Sequence, residues 1–94
     1  MATYLMFGRY IPQAMAEISG ERTRQAIDII KRHGGKFKDG YALLGEKDLV
    51  LITEFRKNED AMQAAAALSK LTNIAITTSP AVPVDDFDKL MSEI

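Results

Sequence analysis

The sequence predicts an α+β fold, a four-stranded antiparallel sheet with helices on one face and a further helix at the C-terminus. Three observations carry this. Stretches of period-two alternation at residues 3–10, 36–44, 47–55 and 74–79 interleave with stretches of helical spacing. Their order, β-α-β-β-α-β, is the split βαβ or ferredoxin-like sandwich pattern. The 94 residues, 47% apolar and 27% charged, suit one core, so a single domain over residues 1–94 is expected.

Each element has a local reason. In the first strand Tyr4, Met6, Gly8 and Tyr10 share one parity and Leu5, Phe7 and Arg9 the other. Pro12 stops it and suits the first position of a short helical turn over 12–18. A helix over 19–33 follows, with Ser19 as N-cap and Ala26, Ile29 and Ile30 as its apolar stripe, extended by Arg22 and His33. Gly34-Gly35 ends it, and Lys31, Arg32 and His33 suit the negative end of its dipole. The second strand places Phe37, Tyr41 and Leu43 on one parity, with Gly40 marking a bulge. A turn at Gly45-Glu46 makes a hairpin with the third strand, where Leu49, Leu51, Thr53 and Phe55 alternate with Val50, Ile52 and Glu54. Asn58 is the expected cap of a helix reaching Thr72, whose row Ala61, Ala65, Leu68 and Thr72 would face the sheet. Pro80 and Pro83 place the fourth strand at an edge or end it. The last helix, over 85–94, has Phe87, Leu90, Met91 and Ile94 as its apolar row and Asp85, Asp86 and Asp88 at its positive start.

Strand three predicts assembly. A sheet covered on one side alternates apolar and polar residues, yet Leu49, Val50, Leu51 and Ile52 are apolar in succession. Two helices cover one face only, and a monomer rarely leaves a large apolar patch wet. A homodimer or higher homo-oligomer packed sheet to sheet is therefore expected, burying on the order of 800 Å² per partner.

Composition excludes several classes. Twelve Lys and Arg against 13 Asp and Glu leave no excess of positive charge for a nucleic acid. The absence of cysteine removes disulfides, thiolate metal sites and cysteine nucleophiles, and fits a cytoplasmic protein. The first ten residues read as a strand rather than a leader peptide, and no run approaches a membrane span. No metal site is expected, since the only histidine is His33 and no carboxylate spacing matches a calcium loop. No phosphate-binding loop or nucleophile elbow is present, and no cofactor is expected.

The candidate site residues have two readings each. His33 has a near-neutral titration suited to proton transfer, or it answers the last carbonyls of its helix. Tyr4, Tyr10 and Tyr41 offer phenol donors to a small molecule, or they are strand tyrosines at a subunit seam. Arg9 suits an anionic ligand, or it is an edge residue in water. Asp48 suits proton transfer, or its hydrogen bonds serve the hairpin turn.

Several motifs resemble the GYD domain family: residues 1–8 (MATYLMFG), Glu21-Arg22-Thr23, residues 41–51 (YALLGEKDLVL), Leu68-Ser69-Lys70-Leu71 and residues 77–81 (TTSPA). Gly45 and Asp48 match the family hairpin, while Lys47 stands where the family usually has tyrosine. The resemblance implies a small bacterial or archaeal ferredoxin-like domain, akin to the dimeric α/β-barrel proteins in which the sheets of two subunits face each other. The expected function is a non-enzymatic small-molecule-binding or regulatory module, with a cavity near Tyr4 and Tyr10 at the sheet face. The alternative is a small enzyme of the dimeric α/β-barrel type, a cofactor-free oxygenase or isomerase, using His33, Asp48 or a tyrosine at the same seam. An RNA-binding sheet is disfavoured by the missing aromatic–basic motif.

Overall fold

The computed structural model describes residues 1–94. In chain order the elements are β1 (Ala2–Tyr10), α1 (Pro12–Ala16), α2 (Gly20–Arg32), β2 (Lys36–Ala42), β3 (Leu49–Phe55), α3 (Asn58–Thr72), β4 (Ile74–Ala81) and α4 (Val84–Ser92). The four strands form one antiparallel sheet in the order β2-β3-β1-β4. Each helical crossover therefore skips one strand, giving two interleaved split βαβ units and the ferredoxin-like arrangement.

Register assigns the faces. Tyr4 pairs with Thr53 and Met6 with Leu51, so these four share the face beneath α2 and α3. The core there is Tyr4, Met6 and Phe55 from the sheet against Ile29 and Ile30 of α2 and Ala61, Ala64 and Leu68 of α3. The small side chains of α3 let it approach the strands closely, and the rings of Tyr4 and Phe55 meet edge to face with centroids 5.9 Å apart. On the opposite face, Leu5 lies beside Ile52 and Phe7 beside Val50, all only half-buried, with Arg9, Tyr41 and Thr77 exposed around them. No helix covers this face: residues of its parity in β1 and β3 are nowhere fully buried.

Local chemistry explains the helix ends. The Ser19 hydroxyl accepts the Arg22 backbone N–H at 3.1 Å, the expected cap. Gly34 takes φ +79° after His33 at the C-terminus of α2. Gly35 then passes so close to Phe55 that a Cβ would lie 2.4 Å from its ring. Two expectations are corrected. Asn58 does not cap α3, because its side chain is engaged by the Tyr4 hydroxyl; Lys57 takes the N-cap position without a side-chain bond. The bulge in β2 falls between Phe37 and Asp39 rather than at Gly40, and the extra residue turns Phe37 and Tyr41 to opposite faces. Gly40 stays in the ladder opposite Leu51, where a Cβ would stand 3.1 Å from the Phe37 ring. Of the two outcomes expected for the fourth strand, the edge position is the one found: β4 is an edge strand and runs through Pro80 to Ala81.

The last helix departs from the rest. None of its residues is buried, and no hydrogen bond or ion pair joins it to the sheet or to the other helices. The radius of gyration is 14.2 Å, above the roughly 12 Å that a compact chain of this length adopts. The chain extends 48 Å along its longest axis and 18 Å along its shortest. No helix is long and apolar enough to cross a membrane.

Candidate functional site

The end of the sheet that carries Tyr10 is closed by Asp48. The β1–β3 ladder finishes at Gly8 and Leu49, leaving backbone donors that need partners. The Asp48 backbone N–H donates to the Gly8 carbonyl at 2.9 Å, and its carboxylate accepts the Tyr10 N–H at 2.8 Å. The Asp48 carbonyl also accepts the Leu43 N–H at 2.8 Å, which fixes the hairpin loop. Asp48 thus serves the turn. Partial burial, and then the nearby Asp48 charge, hold the Tyr10 phenol above its ordinary pKa.

Beside Tyr10 lies a cavity of about 80 Å³ between the sheet and the α1–α2 corner. Its apolar wall includes Ala14, Ile18, Leu49 and Leu51, with Tyr10 and Arg22 as polar groups. Pro12 starts α1 and Ser19 caps the start of α2, so the short α1 and the first turn of α2 shape this corner at the end of the sheet. Arg22 is placed by that geometry. One guanidinium nitrogen pairs with Glu17, and another donates to the Leu71 carbonyl at 3.3 Å. Its side chain is only 22% exposed, so the cation is held at the cavity wall rather than waving in water. The arrangement offers a small apolar hollow with a fixed cation, whose carboxylate partner stands beside it.

A second hollow, of about 200 Å³, lies near the other end of β1 and is lined by Tyr4, Asn58, Ala61, Met62, Thr78 and Pro80. The Tyr4 hydroxyl donates to Asn58 Oδ1, while the buried Thr78 hydroxyl has no partner.

The structure redistributes the residues singled out from sequence. Tyr4 and Tyr10 share the helix-side parity, so they do not line the open sheet face where a seam cavity was expected; Tyr4 packs in the core at 4% exposure and meets only the second hollow. Tyr41 does lie on the open face, and its phenol is held above its ordinary pKa because its hydroxyl donates to Asp39 at 2.9 Å, helped by that carboxylate's charge. Arg9 is exposed on the same face, two strands across the sheet from Tyr41. His33 sits at the C-terminus of α2 next to the start of β2, whereas Asp48 follows the end of β2. Seven strand residues at ~3.3 Å each separate those ends by roughly 20 Å, so His33 and Asp48 do not meet within one chain. No group of three or more His, Cys, Asp or Glu is placed to hold a metal ion. Sequence reasoning missed Arg22 and Glu17 as site residues. The available signal was a cation lying on the apolar stripe of α2.

The sandwich of split βαβ units, with a small cavity at the α1–α2 corner, defines a ferredoxin-like α+β domain. Within that class the chain belongs to the GYD domain family, whose model matches residues 4–91. Among solved structures it is similar to the leucine response regulatory protein of Mycobacterium tuberculosis, with TM-score 0.61 and 8% identity over 87% of this chain and 51% of that one. It is also similar to the protein named MtbAldR, with TM-score 0.63 and 20% identity over 87% of this chain and 52% of that one. A hypothetical protein from Pyrococcus horikoshii matches with TM-score 0.56 and 20% identity, over 88% of this chain and 92% of that one. The chain thus spans about half the length of the first two structures. No match was found among the curated proteins.

Proposed function

We propose that this chain is a non-enzymatic, homodimeric regulatory module of the cytoplasm that binds a small molecule in the Arg22 cavity. The observation that supports it is the pairing of an apolar hollow with a positioned cation. A ligand with an apolar body and a carboxylate head satisfies both, and an ammonium on the same ligand would find Glu17 next to Arg22. An apolar amino acid is the simplest molecule of that kind. The name of one structural neighbour, a leucine response regulatory protein, agrees with that class, though at 8% identity the likeness carries the fold alone. The enzyme alternative would need two convergent titratable groups at the sheet seam, whereas His33 and Asp48 stand at opposite ends of β2, and Tyr10, the tyrosine near Asp48, has the helix-side parity.

The dimer part of the reading is supported by the open sheet face. Leu5, Phe7, Val50 and Ile52 form a contiguous half-exposed apolar patch that α2 and α3 cannot reach.

The ligand reading is tested by calorimetric titration with L-leucine and with 4-methylpentanoate, which lacks the ammonium. Saturable binding of L-leucine is expected, weaker binding of the des-amino acid, and loss of both in Arg22→Met. Heat from neither compound at millimolar concentration would sink the amino-acid assignment.

A further inference from the structure

We infer that α4 docks on the open sheet face of a second copy of this chain. The inference rests on the homodimer reading above and adds to it which element closes the seam. Two apolar surfaces in the chain lack a partner: the Leu5–Phe7–Val50–Ile52 patch and the row formed by Phe87, Leu90 and Met91 on α4. Phe87 is 47% exposed and Leu90 54%. Helix α4 is therefore formed but unsupported, and a nine-residue helix is marginal in water without tertiary packing.

The area argues for a second copy. Four strands ~4.8 Å apart with seven-residue ladders at ~3.4 Å per residue give a flat face of roughly 450 Å². That is about half of the ~800 Å² that each side of a stable interface buries. Helix α4 projects a strip of about 14 by 10 Å, or roughly 140 Å². In a two-fold pair the received helix covers part of the face already counted, so each copy adds only its own helix strip, roughly 140 Å², and the total reaches roughly 590 Å² per partner. The sheet alone falls short, and the helix narrows the gap.

The same chain is a poor occupant. Only Val82 and Pro83 link β4 to α4, and Pro83 holds an extended backbone at φ −57° and ψ 145°, which carries the helix away from its own sheet. A membrane surface is a poor occupant too. Helix α4 and the residue after it carry Asp85, Asp86, Asp88 and Glu93 against Lys89, a charge that anionic lipid repels.

The test uses the full chain with Phe87→Asp and Leu90→Asp together. Both side chains lie outside the core, so the circular dichroism and melting of the sandwich report whether the body is intact. Sedimentation equilibrium should show a dimer of the 10.4 kDa chain, with its dissociation constant weakened at least ~30-fold by the double substitution. An unchanged dissociation constant would overturn the docking of α4 while leaving the dimer in place. A wild-type chain that stays a monomer at every concentration would overturn both. Because the chain has no cysteine, Leu90→Cys can also be mixed with each of Leu5→Cys, Phe7→Cys, Val50→Cys and Ile52→Cys under oxidising conditions. A mixed disulfide joining Leu90→Cys of one chain to the sheet-face cysteine of the other is expected in at least one mixture. If no mixture yields a disulfide between Leu90→Cys and a sheet-face cysteine, or if Leu90→Cys binds anionic vesicles and forms no such cross-link, the proposal fails.

Discussion

Adjacent residues of β3 should respond in opposite ways to the same substitution. Val50 lies on the open face beside Phe7 and Tyr41, whereas Leu51 lies on the helix face beside Met6 and lines the Arg22 cavity. Leu51→Arg removes an apolar side chain worth about 2–3 kcal/mol and sets a second cation at the wall that already holds Arg22. Its partly buried charge adds at least about 1–2 kcal/mol. The sum, roughly 3–5 kcal/mol, is a large part of the ~5–14 kcal/mol expected for a chain of 94 residues. At roughly 4–8 °C per kcal/mol, melting should fall by about 12–40 °C or native structure should be lost. Val50→Arg reaches solvent in the single chain and should change intrinsic stability by no more than about 0.5 kcal/mol. In a face-to-face pair it places two arginines near one axis, so the dimer should dissociate. Circular dichroism melts at several protein concentrations separate the intrinsic effect from the mass-action one, and sedimentation reads the size. Equal melting of the two variants would refute the face assignment. A folded Val50→Arg protein of undiminished size would refute the use of that face in assembly.

Three further outcomes are expected. Gly35→Ala forces a methyl into the Phe55 ring and should cost about 2–3 kcal/mol in urea denaturation; Phe55→Leu in the same chain should recover part of that loss, and strictly additive losses would show the clash is relieved elsewhere. Tyr4→Phe deletes the hydrogen bond to Asn58 but keeps the edge-to-face ring contact, so a loss of about 1 kcal/mol is expected, and a loss above ~3 kcal/mol would assign the hydroxyl a larger role. Ultraviolet difference titration should find Tyr10 ionising above the ordinary tyrosine range, and Asp48→Asn should lower its pKa without restoring the ordinary value, because burial is the larger cause. The raised folded-state pKa favours the protonated phenol, so its contribution to stability is complete below the unfolded value near 10 and is lost as pH rises through the folded one. A Tyr10 pKa unmoved by Asp48→Asn would remove that carboxylate as a cause.

Much of the candidate site escapes a linear reading because its polar groups are recruited from separate elements. Arg22 gains its meaning from Glu17 five residues earlier and from the Leu71 carbonyl 49 residues later. Asp48 was visible as a turn residue, and its bonds to Gly8 and Tyr10 are those of a turn closing a strand end. Tyr4 and Tyr10 were visible as strand residues of one parity, but parity alone does not say which side the helices occupy.

What the sequence determined by itself is whatever depends on neighbours a few residues apart. Alternation set the strands, the Ser19 hydroxyl and Gly34 set the limits of α2, and four consecutive apolar residues in β3 marked a strand apolar on both faces of the sheet. Only the tertiary structure decided which parity faces the helices, that Tyr4 would draw Asn58 away from its helix end, and that an extra residue at Lys38 would turn Tyr41 from Phe37. The physical reason is that a strand's period has two equivalent phases and a side chain several competing partners. The choice among them is made by which contacts, distant in sequence, bury the most apolar surface at once.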